Sequence, residues 1–465
     1  MVETLRLIRP SLVPPLDDEF RPAVLANHAF LADVEASGDG VPLVFGLERP
    51  GGACSRVETR VFAQGHSRAG ENLQYAERLF KFLLWQRGAW RVHISGPEEV
   101  GRYIQQCYSA GGERAFDYQF MGEKVYQAPF SVVLCTPEEM PPEQEIERAL
   151  GRHLEGYRIG LDLGASDLKV AAVVDGEAIY AEEIVWEPQK QQDPQVHYNM
   201  IMAAIRKAAS KMPRLDAIGV SSAGIYLDNR PMVASLFRGV PEERYEEVRS
   251  LFLRIRDEMG VPLEVINDGD VTALAGSMSL GDGGVLGIAL GSSQAGGYVT
   301  MAGNLLDWLH ELSFCPIDYN PAAAVDEWSG DRGCGALYLS QQCVFRLAPK
   351  AGIALLAGVT DAEKLKAVQR ALESGHEGAV KIWETMGTYL GYAIAHYADF
   401  YRIRHVLVLG RCTSGQGGPL LVTRAKQVLA CEFPELASQF DIQLPDEMGR
   451  RVGQSIAAAS LPALD

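Results

Sequence analysis

The sequence predicts an α/β protein built from mixed sheets with crossover helices. Three features carry that expectation. Short apolar runs alternate with stretches of helical periodicity along most of the 465 residues. Beyond residue 157 three apolar runs follow one another with only turns between them, and helix-strand alternation then takes over. Two turns rich in small residues, 162–166 and 291–297, interrupt strand-like runs in the manner of hairpin tips.

Residues 1–150 read as a separate α/β module. Runs 41–47, 91–94 and 131–135 are short and apolar, as strands are. Leu73, Ala76, Leu79, Phe80, Leu83 and Leu84 recur at helical spacing over 72–87, and a second helix is expected over 98–109. The module carries no chemical signature, and His66 and His93 read as structural. Residues 136–147, TPEEMPPEQEIE, combine three prolines with five glutamates. Proline disfavours helix and sheet and the charges favour water, so a boundary is expected near 150.

From 157 the pattern sharpens. Strands are expected over 157–161, 168–174 and 179–185, followed by a helix over 198–212 with Ile201, Ile205, Ala208 and Met212 on one face. A buried strand over 215–220 ends in Ser221-Ser222-Ala223-Gly224. Pro241 is placed to open a helix. The strand 261–266 ends in Asn267-Asp268. A second hairpin spans 287–300, a long helix 379–399, a strand 406–409 and a closing helix 448–461.

Composition excludes several classes. Hydrophobic residues make up 47% and charged residues 22%, which rules out disordered and fibrous chains. A chain of this length buries roughly 75% of its unfolded surface and needs no staples. The formal charge of −17 argues against nucleic acid as a partner, because phosphates are repelled. No apolar run reaches the length of a membrane span. The eight cysteines form no CxxC pair, and the proline-broken, charged N-terminus is no secretory leader. These features suit a reducing cytoplasm.

The chemistry is expected at the two hairpin tips and the strand end between them. Small residues at a turn let backbone approach a ligand, and successive N–H groups there form an anion-binding concavity. An aspartate at a strand's carboxyl end can accept a proton from a hydroxyl nucleophile. By itself, Asp268 also reads as an N-cap for the helix that follows.

These motifs resemble those of the ROK family of sugar kinases and regulators, within the actin-like ATPase superfamily, over about two-thirds of the chain from Gly156 onward. Asp162-Leu163-Gly164-Ala165-Ser166 resembles the family's DxGGT. Leu290 to Gly297 resembles LGTGxGGG, and Asn267 to Gly276 resembles NDANAAALGE. Val406 to Gly410 resembles the strand and glycine of the adenosine motif.

The resemblance implies a two-lobed actin-like ATPase (ribonuclease H-like) fold with mixed sheets. The first lobe is expected over 156–277, completed by the helix 448–462, and the second over 278–447. It implies ATP and Mg²⁺ as cofactors, a sugar or sugar derivative as substrate, and a homodimer. Asp162 would meet Mg²⁺ through water. Gly164, Ser166, Gly291, Ser292 and Gly296 would contact phosphates, and Gly410 would border adenine. Asp268 would be the general base, and Asn267 and Glu311 would bind sugar hydroxyls.

The departures are Ala165, Ser293 and Ala295 in place of glycines, and Ala336 in place of a sugar-binding glutamate. The family's zinc motif maps on 329–336 with Cys334 as its one cysteine, and the metal histidine falls at Phe314. One thiolate makes no tetrahedral site, so no structural zinc is expected. The leading expectation is an ATP-dependent sugar kinase. The alternative is a non-catalytic sugar- or nucleotide-sensing regulator or scaffold on the same fold. An acyl kinase ranks last, because it would lack the Asn-Asp strand end.

Overall fold

The computed structural model describes residues 4–164, 167–445 and 447–464. The chain divides into two compact units. One comprises Met1–Ile146, Ile288–Gly296 and Asp307–Leu444, and the other Glu147–Gly287, Gly297–Leu306 and Pro445–Asp465.

In the second unit, a five-stranded sheet runs in the order Leu263–Asn267, Ala217–Ser222, Tyr157–Leu163, Asp167–Val174, Glu177–Val185. The first three strands are parallel and the last two continue antiparallel. This is the mixed sheet the sequence predicts. The hairpin strands are apolar on both faces because helices cover both sides. On one side Pro194–Ala209 presents Ile201, Ile205 and Ala208 to Ile159, Leu161 and Val220, all fully buried. Asp193 caps this helix through Gln195 N, and Pro194 occupies its first turn, so it starts earlier than its apolar spacing suggests.

On the other side lies the closing helix Glu447–Ala459. It comes so near the sheet that a Cβ on Gly160 would meet Ser455 O at 1.8 Å, and one on Gly219 would meet Ala458 O at 1.6 Å. Only glycine admits that approach. Gly219→Val is expected to destabilise the protein by about 3 kcal/mol, read as a lowered melting temperature. An unchanged melting temperature would show that the helix does not dock there.

The first unit holds a four-stranded sheet in the order Cys54–Val61, Val41–Glu48, Arg91–Ser95, Ser131–Leu134. Helices Ala23–Ser37, Glu71–Arg87 and Glu98–Cys107 accompany it. Glu71–Arg87 is buried nearly throughout, its charged residues included. The same unit contains the long helix Glu377–Ala398 and the parallel pair His405–Leu409 and Asp441–Gln443.

Three local readings need correction. Pro241 precedes a single 3₁₀ turn, Glu242–Arg244, and the helix proper begins at Tyr245. The strand Cys54–Val61 shows no apolar run in the sequence, because it is an edge strand whose exposed positions are Arg56, Glu58 and Arg60. The helix Ala23–Ser37 shows no apolar stripe, because its apolar residues are spread around the whole circumference. Among the described residues no helix is long and apolar enough to cross a membrane.

Candidate functional site

The three parallel strands of the second unit end level with one another. Asp162 is in register with Ser221, and Ser222 with Asn267. Ligands in open α/β sheets gather at such carboxyl ends. Asp162 is 9% exposed. Its Oδ1 accepts from Ser221 Oγ at 3.1 Å and its Oδ2 from Lys169 Nζ at 3.2 Å. Lys169 stands directly opposite Asp162 in the hairpin and also pairs with Asp167 at 3.2 Å. Burial lowers the Lys169 pKa, but the two carboxylates outweigh it and the net shift is upward. The ammonium is therefore charged across the physiological range.

Asp268 is the first residue of the helix Asp268–Leu280, where the backbone dipole favours an anion. Asp268 as a whole is half-buried. Burial, and after it the negative charge of Asp162, pushes its pKa up to about 6, and the amides of Gly269 and Asp268 itself moderate the rise. The helix is capped by Asn267, whose Oδ1 accepts from Gly269 N at 2.7 Å. Asn267 Nδ2 donates to Gly224 O at 2.8 Å. The cap thus falls one residue earlier than the local reading of Asp268 supposed, and it frees the Asp268 carboxyl from that duty. Behind the helix terminus Asp270 accepts from Tyr298 N at 3.3 Å. A Cβ on Gly297 would meet Gly269 O at 2.1 Å, so the glycine there serves packing.

Gly164 closes the first hairpin tip. Its N–H donates to Asp167 O, and its carbonyl accepts from Trp186 Nε1, each at 2.9 Å. Ala165 and Ser166 lie outside the described residues.

The remaining candidates belong to the first unit. Gly291 donates to Ser293 O and accepts from Gln341 N, each at 3.0 Å. Ser292 is exposed and Gly296 is buried. Gly410 follows its strand with a positive φ of 99°, and a Cβ there would meet Leu290 O at 2.5 Å. Glu311 is half-buried, its N–H bound to Trp85 O at 3.0 Å. Of the aromatic residues near it, Tyr319 is buried, Trp308 donates its indole N–H to Glu145 at 2.8 Å, and Trp328 is 65% exposed.

The donor set of the zinc-like motif does not suit zinc. Cys334 lies 3.8 Å from Asp331 Oδ2, and Phe314 stacks on Trp85 at 4.1 Å. Among the described residues no three His, Cys, Asp or Glu side chains converge as a metal would require. Magnesium is a different case. It keeps several of its waters and needs as few as one or two carboxylates.

Sequence reading overlooked Lys169, Asp167 and Ser221. The signal was present: once Leu163 pairs with Leu168, Asp162 and Lys169 come out opposite each other.

A profile of the ROK family matches residues 158–435. The chain is similar to the crystal structure of a ROK family glucokinase from Streptomyces griseus in complex with glucose and AMPPNP. The two share 19% identity and a TM-score of 0.50, over 65% of this chain and 98% of that one. It is also similar to a ROK family transcriptional regulator, a homologue of the E. coli MLC protein. There the identity is 18% and the TM-score 0.51, over 66% of this chain and 78% of that one. No curated protein matches the sequence. The likeness carries the fold: mixed α/β, as in the actin-like ATPase sugar kinases.

Proposed function

The chain belongs to the ROK family, and from that premise we propose that it transfers the γ-phosphoryl group of ATP to a hydroxyl of a sugar or sugar derivative. The observation that supports this reading is the Asp162–Lys169–Asp268 group at the ends of the parallel strands. A carboxyl with a pKa near 6 is charged at neutral pH, yet basic enough to take a hydroxyl proton as the nucleophile attacks. Phosphoryl transfer otherwise needs positioning and charge neutralisation.

In this reading Asp268 holds the sugar hydroxyl and receives its proton. Asn267 and Glu311 orient the sugar, and Gly164, Ser166, Gly291, Ser292 and Gly296 contact phosphates. Gly410 borders adenine. Asp162 holds magnesium through water, and the ion when bound neutralises phosphate charge. Lys169 fixes the Asp162 carboxylate and supplies a positive charge of its own. The catalytic fold is formed from 156–277 with the closing helix and from 278–447, and the protein works in the cytoplasm as a homodimer.

A panel of sugars, amino sugars and polyols, assayed for ATP-dependent phosphorylation, tests the proposal. ADP release with at least one of them is expected, and it should need Mg²⁺. Two observations favour a second reading, a sensor without catalysis. Lys169 already occupies Asp162, and Ala336 stands where the family has a sugar-binding glutamate. Calorimetry with ATP, with and without Mg²⁺, separates the two. No binding at millimolar nucleotide would sink the kinase and leave the sensor.

A further inference from the structure

The loop that carries Glu311 has an unusual support. His310 N donates to Gln86 O at 2.9 Å and Glu311 N to Trp85 O at 3.0 Å. Cys315 Sγ lies 3.5 Å from Phe82 O. Phe314 stacks on Trp85 with ring centroids 4.1 Å apart. His310 has a φ of 52°, a left-handed conformation that a residue with a Cβ holds only when its surroundings impose it.

Further along, Pro316 and Cys334 form a β-bridge, and Ile317 N donates to Gly333 O at 2.8 Å, so the two ends of 310–335 are joined. The far end is anchored by Asp331, 4% exposed. It accepts from Arg78 at 3.1 Å and from Arg114 at 2.7 Å, and Lys81 Nζ lies 3.8 Å away. Glu77 bridges the same two arginines, and Asp117 takes Lys81 at 2.5 Å. Three cations thus face three carboxylates, Glu77, Asp117 and Asp331, in a buried and neutral cluster. Trp85, Gln86, Arg78 and Lys81 all come from one element, the helix Glu71–Arg87.

We propose that the helix Glu71–Arg87 is a built-in brace for residues 310–335, holding with stacking, main-chain hydrogen bonds and buried ion pairs a segment that resembles the family's zinc site. Phe314, at the position of the family's metal histidine, lies on Trp85, and Asp331, close to Cys334, accepts from Arg78 of the same helix. This gives the N-terminal region a function. It fixes the backbone from which Glu311 projects, and the consequence for substrate rests on the sugar-binding reading of Glu311. The brace itself does not.

Hydrogen exchange on the full-length protein, with elemental analysis of bound metal, tests the brace without sugar or nucleotide. In Trp85→Leu the amides of 310–315 should exchange at least about tenfold faster, with 157–163 unchanged. Trp85→Phe should stay within about twofold of wild type. Asp331→Asn, a second route should Trp85→Leu not fold, should loosen 326–335 in the same way. Zinc should be well below one per chain, and EDTA should leave exchange in 310–335 unaltered. Unchanged exchange in the folded variants would overturn the proposal. So would one zinc per chain whose removal loosens the segment. If the kinase reading holds, Trp85→Leu should also raise KM for the sugar about tenfold and leave KM for ATP unmoved. A loss of exchange protection without any phosphorylation by wild type would retain the brace and remove the kinase.

Discussion

Asp268→Asn is expected to lower the phosphorylation rate by about 10²–10⁴-fold and leave the protein at least as stable as wild type at pH 7–8. The two effects share a cause. Burial and the neighbouring Asp162 hold the Asp268 carboxyl above its ordinary value of 3.8, at about 6. Between those values the folded chain binds a proton that the unfolded chain does not. The group's contribution to stability is therefore full in acid and is lost as pH rises through 6. At neutral pH the charged form is a burden on the order of 1–2 kcal/mol, which the amide removes. The same carboxyl must be charged to act as base, so kcat/KM of the wild type should fall below pH 6. That acid limb should be missing from the residual activity of the variant. Near-wild-type turnover, or a limb that survives the substitution, would take Asp268 out of the chemistry. A collapse in melting temperature would mean the residue serves the fold.

Asp117→Ala is expected to cost about 3–5 kcal/mol of stability. Its Oδ1 accepts from Lys81 Nζ at 2.5 Å and from Trp85 Nε1 at 2.6 Å. Lys81 is 0% exposed, so the truncation leaves its ammonium with the more distant Asp331 alone and leaves the Trp85 indole N–H without its acceptor. The pair Lys81→Met with Asp117→Leu should regain most of the loss, because a buried ion pair is dear to break and cheap to replace whole. Thermal unfolding of the three proteins checks this. If the single variant melts within about 1 °C of wild type, Asp117 does not hold Lys81 in the folded protein.

Glu77 illustrates why the cluster holds. Burial alone would raise its pKa, but Arg78 and Arg114 bring it down to about 2. It stays charged throughout the useful pH range. Its contribution to stability should therefore be full above about 4.5, its ordinary value, and be lost progressively as pH falls toward 2.

The strands and helices that build the second unit were legible because each shows its period or its turn within its own few residues. The hairpin 157–174 declares itself by two apolar runs around a small-residue turn, and the strand 263–267 by an apolar run that ends in Asn-Asp. Asp162 and Asp268 were legible as candidates because turn and strand-end positions are few. Their partners were not. Lys169 reads as an ordinary strand lysine until hairpin register sets it across from Asp162, and Ser221 reaches that carboxylate only through parallel pairing. The identity of the helix cap also depended on geometry, since Asn267 and Asp268 are equally good caps by type.

Residues 1–150 show the limit most plainly. Their α/β character could be read from periodicity, but their purpose could not. Lys81, Arg78 and Glu77 look like the solvated face of an amphipathic helix, and the fold buries all three. Sequence alone determined most of the elements and the family pattern, and marked the two carboxylates as candidates, because period and turn chemistry act over a few residues. Only the tertiary structure decided which charge meets which, because Arg78 and Asp331 stand far apart along the chain and are joined solely by packing.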